Sequence, residues 1–471
     1  MRARLLRFTL VLAGAASWPA RASAEEPKKE ERDFGQLTIV DAEPPAAHLP
    51  KKRPVPDYDG RGEDPKSAAD TLLWIPRVVA APLYLAAEYL VRRPIGAIVI
   101  AVERDKLTQR AIYIFTIGNK KNLGFFPTFY WESNFYPSAG LYFWWDDVGS
   151  PKNHVRAHVA TWGTPVLTAT IADRYVLGVN SSASLRASVD HRDDNVFYGL
   201  GPTSKDGNES RYGITTFEAG PTFDVSLRRG VDVSTRAGVR DATYRETDED
   251  ERTLFDTVRR GNLPPPPRLF GGGYTTVFQG ATLALDTRER GHLHASGARA
   301  SFGATPSFDL SRRAGGSWLR YDAGATAYWD VARTHRVLSL GAAASFVDPI
   351  QGGASGIPFN EHVTLGGLGP MRGFYPGRLV GRSAAVLTLG YEWPIWSFLD
   401  GTMQAATGNV FGAGLRGFDL EKLRLSAALG LRSNTSRDHQ FELLVGFGTE
   451  TFGDGARISS VRLALGATRG F

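Results

Sequence analysis

From position 123 onward, the chain alternates apolar residues with polar or small ones, and this pattern restricts its fold more than any other feature. A period of two is that of a β-strand, whose successive side chains point to opposite faces. Near the C-terminus, Val461, Leu463 and Leu465 share one face, while Arg462 and Gly466 share the other. Sixteen segments show the pattern, and an even number is what a bacterial single-chain barrel requires; they lie at 123–132, 138–146, 153–163, 165–176, 179–190, 212–227, 230–245, 273–287, 294–307, 317–331, 336–348, 382–393, 400–411, 422–432, 438–449 and 456–471.

The connections between these segments alternate in length. Those after even-numbered segments are mostly short, such as 228–230 and 434–436, whereas the long ones, 191–211, 246–272 and 349–381, follow odd-numbered segments. Short periplasmic turns and long external loops are typical of an outer-membrane barrel, with the N-terminus in the periplasm. A soluble β-sandwich uses the same alternation to bury one face, but it needs neither an export signal nor so many unbroken segments.

We therefore predict an all-β membrane protein, a sixteen-stranded antiparallel outer-membrane β-barrel over residues 109–471. Its outer surface is expected to contact outer-membrane lipid. Aromatic clusters such as Phe143-Trp144-Trp145 are interpreted as part of the girdle at the membrane interface.

The first 24 residues have the features of a secretory signal peptide. Arg2, Arg4 and Arg7 precede a short apolar run, and Ala22-Ser23-Ala24 is a small-x-small cleavage site. The apolar run is too short to span a bilayer as an uncleaved anchor. We predict cleavage after Ala24, and the absence of cysteine (Cys 0) fits an exported chain and excludes a lipid-anchored lipoprotein.

Two further segments precede the barrel. Residues 25–70 are rich in proline and charge and have little apolar periodicity, which predicts a disordered periplasmic linker. Residues 71–108 are more apolar, but Pro76 and Pro82 interrupt them. We expect broken amphipathic helices that lie at the periplasmic mouth of the barrel or plug it; the alternative is a helix lying on the membrane surface.

The chain shows no pattern that indicates an enzyme, a cofactor or a metal site. The segment 353–356 has the wrong spacing for a nucleophile elbow. His292 and His294 lack a nearby third ligand, and the acidic cluster 248–251 is more typical of solvated loop charge than of a calcium site. The 55 basic and 49 acidic residues are interspersed, which argues against nucleic-acid binding.

One glycine-rich stretch, 365–374, holds a single cation, Arg372, between glycines and an aromatic residue. Glycines let a loop fold inward and pack against other backbone, and a buried arginine requires a carboxylate. The following strand carries Glu392 on its polar face. We predict that Arg372, Gly373 and Phe374 enter the barrel and that Arg372 pairs with Glu392.

These residues resemble a known family. Arg372-Gly373-Phe374 and the segment 389–394 are similar to the inward loop and next strand of the BamA and TamA outer-membrane assembly barrels, in the bacterial surface-antigen superfamily. Segments 285–288, 197–201 and 408–411 extend the resemblance. Phe471, the last residue, is similar to the C-terminal aromatic signal of such barrels.

The chain departs from the family at two points. Ala406 stands where the family has an aspartate that also grips the loop arginine, and too few residues precede the barrel for the periplasmic modules that receive client chains. The resemblance implies assembly or translocation of outer-membrane proteins through a weak seam between the first and last strands. Unfolded outer-membrane proteins or periplasmic chaperones are then the expected partners. The alternatives are a plugged or gated pore, a lipid-handling channel, and a structural surface antigen.

Overall fold

The computed structural model describes Tyr89, Arg93 and residues 114–118, 120–163, 165–247, 252–288, 295–311, 316–331, 335–396, 399–433 and 439–469. The predicted signal peptide, the linker 25–70, nearly all of 71–108, the acidic cluster 248–251 and Phe471 therefore lie outside the described residues. The chain divides into two compact units, Met1–Arg92, in which Tyr89 is described, and Arg93–Phe471. Within the described residues, no helix is both long and apolar enough to cross a membrane.

The second unit contains the predicted closed barrel of sixteen antiparallel strands. Each strand pairs with its neighbours in sequence, and the last strand pairs with the first. The barrel strands are β2 (Leu123–Glu132), β3 (Ser138–Asp146), β4 (Asn153–Thr161), β5 (Val166–Gly178), β6 (Ser181–Phe197), β7 (Ser210–Arg228), β8 (Val231–Arg245), β9 (Tyr274–Asp286), β10 (Gly297–Asp309), β11 (Ser317–Asp330), β12 (Val337–Gln351), β15 (Ser383–Trp396), β16 (Leu399–Phe411), β17 (Arg424–Ser433), β18 (His439–Thr449) and β19 (Ile458–Arg469).

Three short strands and an α-helix between β8 and β9 also lie within the described residues. The two-residue strand β1 (Thr116–Ile117) precedes the barrel and pairs with β2. Strands β13 (Val363–Leu365) and β14 (Leu379–Gly381) form a small hairpin in the connection between β12 and β15. Helix α1 (Leu254–Arg259) is capped at its N-terminus by Thr253, whose side chain accepts a hydrogen bond from the Asp256 backbone N–H.

The alternation in the sequence corresponds to the two faces of the barrel wall. In β5, the side chains of Val166, Thr168 and Thr170 are buried toward the lumen, whereas Leu167 and Ile171 are 42% and 53% exposed on the outer face. Large apolar side chains on the outside of a closed sheet suit contact with lipid, where strands have no free edge.

The two ends of the barrel differ as the sequence predicts. The long connections, which include 198–209, 246–273 and 352–382, meet at one end, here called the loop end. The opposite end, here called the turn end, has short connections such as 179–180 and 229–230.

Strand β6 extends seven residues beyond the predicted position 190. The run from Asp190 to Asn195 is entirely polar, so it lacks the alternation of apolar and polar residues that predicts a strand. The Arg192 guanidinium binds Asp194 with two hydrogen bonds of 2.9 and 2.8 Å, and an irregularity in the pairing with β7 accommodates the segment.

The interior of the barrel is packed with side chains toward the loop end. A buried cluster joins inward residues of the wall to the 352–382 connection. Phe359 lies at its centre, with its ring centroid 5.0 Å from that of Tyr244, 5.1 Å from that of Tyr212 and 5.3 Å from that of Phe197. Such packing is a normal protein core, placed inside a membrane barrel.

Candidate functional site

Part of the connection between β12 and β15 folds into the lumen. This inward loop, residues 366–378, connects strands β13 and β14. Both Met371 and Phe374 in it are 0% exposed. Gly366 and Gly367 have φ of +111° and +64°, a backbone region that residues with a Cβ rarely adopt. The glycine-rich sequence is therefore required for the turn that directs the loop inward.

The tip of the inward loop lies directly on the backbone of β18. A Cβ atom added to Gly373 would stand 2.0 Å from the Phe447 carbonyl oxygen, and one added to Gly446 would stand 2.8 Å from the Arg372 carbonyl oxygen. Two side chains hold the tip: the Gly373 N–H donates to Ser426 Oγ at 2.8 Å, and Ser460 Oγ donates to the Gly373 carbonyl at 2.9 Å. The inward loop is thus fixed to β17, β18 and β19.

The predicted pairing of Arg372 with Glu392 is wrong. Arg372 Nη1 donates to Glu442 Oε1 on β18 at 2.8 Å, with the two side chains 18% and 7% exposed. Glu392 instead accepts a 3.0 Å hydrogen bond from Arg432 on β17. The structure does place Arg372, Gly373 and Phe374 inside the barrel, as the sequence analysis expects.

Arg372 pairs with Glu442 because of where the tip of the inward loop lies. Alternation assigns Glu392 to the inner face but carries no information on which wall the tip touches. The tip lies on β18 because Gly446 and Gly448 leave its inner face bare, so that the Phe374 ring packs where a Cβ of Gly448 would be. Two glycines and Glu442 on the same face of one predicted strand were the sequence signal for this contact.

A double-mutant cycle tests the assignment. Arg372→Ala and Glu442→Ala should be coupled by about 0.5–3 kcal/mol in unfolding free energy, because each removes the same interaction. Arg372→Ala combined with Glu392→Ala should be additive to within about 0.5 kcal/mol. Denaturant unfolding in detergent provides the measurement, and a larger coupling with Glu392 than with Glu442 would contradict the structure.

The seam between β19 and β2 closes the barrel with a short ladder. Its register runs from Ala464↔Glu132 to Gly466↔Tyr130, whereas the adjacent β18–β19 ladder runs from His439↔Arg469 to Thr449↔Ile458. At the loop-end side, Ser133 adds two hydrogen bonds to Leu463, through its N–H at 2.8 Å and its Oγ at 2.9 Å.

A buried ion pair crosses this seam. Arg462 on β19 donates from Nε to Glu132 Oε1 on β2 at 2.6 Å, and the two side chains are 1% and 6% exposed. Arg462 Nη1 also donates to the Arg372 carbonyl at 3.2 Å, and Tyr375 Oη donates to the Val461 carbonyl at 2.7 Å. The inward loop therefore contacts the seam as well as β18.

A second buried charge group, here called the arginine cluster, lies at the loop end. Arg378 and Arg424 are both 0% exposed, and they share Glu450 through contacts of 3.3 and 2.6 Å. Both also donate to the Ser204 carbonyl, at 3.2 and 2.7 Å. Burial, and then the charge of Arg424, lower the pKa of the Arg378 guanidinium. The cluster joins the inward loop, β17 and the 198–209 connection.

The other segments that carry the resemblance have identifiable contacts. The Tyr198 ring lies 4.6 Å from the Arg378 guanidinium carbon, a cation–π contact. Asn409 donates to the Pro202 and Lys422 carbonyls at 3.0 and 2.6 Å. Asp286 binds Arg288 at 2.7 Å near the turn end. These residues hold strand ends and loops together.

Within the described ranges, no group of three histidine, aspartate or glutamate side chains is placed to hold a metal ion. The buried charges form pairs and hydrogen bonds between elements, and the feature with functional potential is the short ladder at the seam.

Comparison with known proteins supports this description. A family model described as the Omp85 superfamily domain matches residues 154–437, more than half of the chain. None of the curated proteins compared with the chain matches it.

Among solved structures, the crystal structure of BamA from Haemophilus ducreyi lacking POTRA domains 1-3 is similar, with 13% identity and a TM-score of 0.51, over 74% of this chain and 70% of that one. CdiB from Acinetobacter baumannii aligns over 74% of this chain and 60% of its own length, with 10% identity and a TM-score of 0.45. The CymD monoaromatic hydrocarbon channel aligns over 68% and 86%, with 11% identity and a TM-score of 0.33.

The match to the family model, together with the fold shared with BamA, confirms the resemblance to the assembly barrels. In the part of the chain that the structure describes, nothing resembling a POTRA domain precedes the barrel. The sixteen-stranded barrel with its inward loop belongs to the Omp85 superfamily of outer-membrane proteins.

Proposed function

We propose that this protein inserts polypeptides into the outer membrane, or moves them across it, by opening the seam between β2 and β19. The observation that carries the proposal is the short ladder, which pairs β19 with residues Tyr130–Glu132 of β2. The proposal assigns no chemical reaction to the chain.

The physical support comes from backbone hydrogen bonding in lipid. A strand edge inside a bilayer must have hydrogen-bonding partners, because lipid supplies none. Separating two strands breaks every pair in their ladder, so among the described strands of the barrel wall the seam is the place where the least pairing is lost. An incoming strand that pairs with the opened edge would restore the hydrogen bonds.

The packed loop end supports a sideways route over a route along the lumen. The cluster around Phe359 and the arginine cluster both occupy the interior or cover it. A gated pore would require this core to leave the lumen. Bilayer conductance measured with and without residues 25–108 tests the pore alternative, and a steady current from the truncated chain would favour it.

We further propose that the turn end faces the periplasm and that the partners are unfolded outer-membrane proteins. Short connections on one side and long ones on the other support this orientation. A client strand would enter at the turn end, pair with the edge of β2, and pass sideways into the lipid.

The experiment uses the absence of native cysteine in the chain. Leu465→Cys with Trp131→Cys places two thiols at register-paired positions across the seam. In proteoliposomes, the reduced protein is expected to accelerate folding of a second outer-membrane barrel severalfold. Oxidation to the disulfide should abolish the acceleration, and reduction should restore it.

A matched control joins two strands that are not at the seam. Leu465→Cys with Leu443→Cys links β19 to β18 at another register pair, and its oxidation should leave the acceleration unchanged. If the wild-type protein does not accelerate folding, the assembly function is rejected. If the oxidised seam pair remains active, opening at the seam is rejected.

A further inference from the structure

The short strand β1 occupies the same edge of β2 as the last strand of the barrel. A strand has two hydrogen-bonding edges, and β3 pairs with β2 from Leu123 to Tyr130 along one of them. Strand β1 pairs with Leu123 and Gly124, so it must lie along the other edge, which is the seam edge. It therefore lies toward the turn end of the seam.

The register relates β1 to β19. Both run antiparallel to β2, and the β19 ladder ends at Gly466↔Tyr130. The first pair of β1, Thr116↔Gly124, lies six residues before Tyr130 in β2. Strand β1 thus covers a part of the seam edge that lies outside the described β19 ladder.

Side-chain and backbone contacts hold β1 against the seam edge of β2. The Phe115 ring, immediately before β1, meets the Phe125 ring edge-on at a centroid distance of 6.0 Å. A Cβ atom on Gly124 would stand 2.5 Å from the Phe115 carbonyl oxygen, so the two backbones approach closely there.

The ladder between β1 and β2 is short enough to open reversibly. Among the described residues it consists of two residue pairs, and the Ile117 side chain is 48% exposed. Displacing β1 would break the hydrogen bonds of these pairs, each of small net value where water can replace it.

We infer that β1 is an autoinhibitory edge guard, which competes with any extended strand that pairs with the full length of β2. The inference rests on the proposed function, because it describes how access to the same seam is controlled. The competing partner is an extended segment of alternating apolar and polar residues, which can add to a sheet edge through its backbone. Such a segment must displace β1 to reach Leu123 and Gly124.

The test is binding of a synthetic strand. The probe is a fluorescent peptide with the sequence of β19, Ile458–Arg469, added to the full chain in detergent and followed by anisotropy. Replacing Thr116 and Ile117 together with proline removes both N–H groups of β1, including the one that faces β2, and affinity for the probe should rise about tenfold. The matched control, Thr116→Val with Ile117→Val, keeps both donors and should bind as the wild type does.

A disulfide provides the opposite perturbation. Ile117→Cys with Leu123→Cys joins register-paired residues of β1 and β2, and its oxidation should weaken probe binding below the wild-type level until it is reduced. Equal affinity in all variants, or no binding even to the proline variant, would overturn the inference. These readouts do not require folding activity, so they separate failure of the guard from failure of the proposed function.

Discussion

Replacing Glu450 with glutamine is expected to lower the unfolding free energy of the barrel by about 3–5 kcal/mol, the usual cost of removing one partner of a buried ion pair. Arg378 and Arg424 would keep their positions at 0% exposure without the carboxylate that they share. Asp206, 3.9 Å from Arg378 and 51% exposed, would be a poor substitute. Denaturant unfolding in detergent measures the loss.

The control for this variant is Glu421→Gln. Glu421 is an exposed acidic residue on the neighbouring 412–423 connection, so its neutralisation should change stability by less than about 0.5 kcal/mol. Equal stability of the two variants would show that Glu450 does not neutralise the arginine cluster.

The pH dependence provides an independent check on Glu450. Burial disfavours its charged form, but the hydrogen bond and charge of Arg424, together with the charge of Arg378, hold the pKa of Glu450 below its ordinary value of 4.5. A carboxyl group with a lowered pKa contributes stability above its ordinary value and loses it as the pH falls through the folded-state value. The wild type should therefore lose more stability below pH 4.5 than Glu450→Gln does.

The second large effect is expected at the seam. Either Arg462→Ala or Glu132→Ala should cost about 3–5 kcal/mol, because each leaves a charge buried without its partner. The two side chains are 1% and 6% exposed, so water cannot replace the lost contact. The double variant should be less destabilised than the sum of the two single variants, by about 0.5–3 kcal/mol.

Arg432 and Glu392 form the matched control pair. Their contact of 3.0 Å joins β17 to β15 inside the same barrel, but the side chains are 27% and 34% exposed. Removing either partner should cost about 0–1 kcal/mol because solvent screens the pair. Equal losses at both pairs would mean that burial at the seam contributes nothing.

The fold was predictable because its main signal is local. Each strand carries its own alternation, and barrel closure follows from an even number of strands and the alternating lengths of their connections. The prediction failed to extend β6 past position 190 because the polar run around Arg192 breaks the alternation. The ion pair of Arg192 with Asp194 can be identified only from the three-dimensional structure, because the sequence does not show which charged side chains meet.

The site was predictable in part. The glycines around Arg372 indicated an inward loop, because few other sequences allow that backbone path. Its partner Glu442 was not found, because the choice among inward-facing acids depends on contacts between segments distant in sequence. Arg462 and Glu132 are separated by 330 positions, yet closure of the barrel makes their strands neighbours. Their inward positions at the ends of the predicted barrel were a signal that could have been used.

The packing of Phe374 and Gly373 against β18 has a consequence for the order in which the barrel is assembled. The loop precedes β15 to β19 in the chain, and its tip rests on residues of the last three strands. Threading a bulky tip into an already completed and packed cylinder would require that core to come apart. The inward loop must therefore be inside the barrel before β19 pairs with β2, and the final strands then close around it.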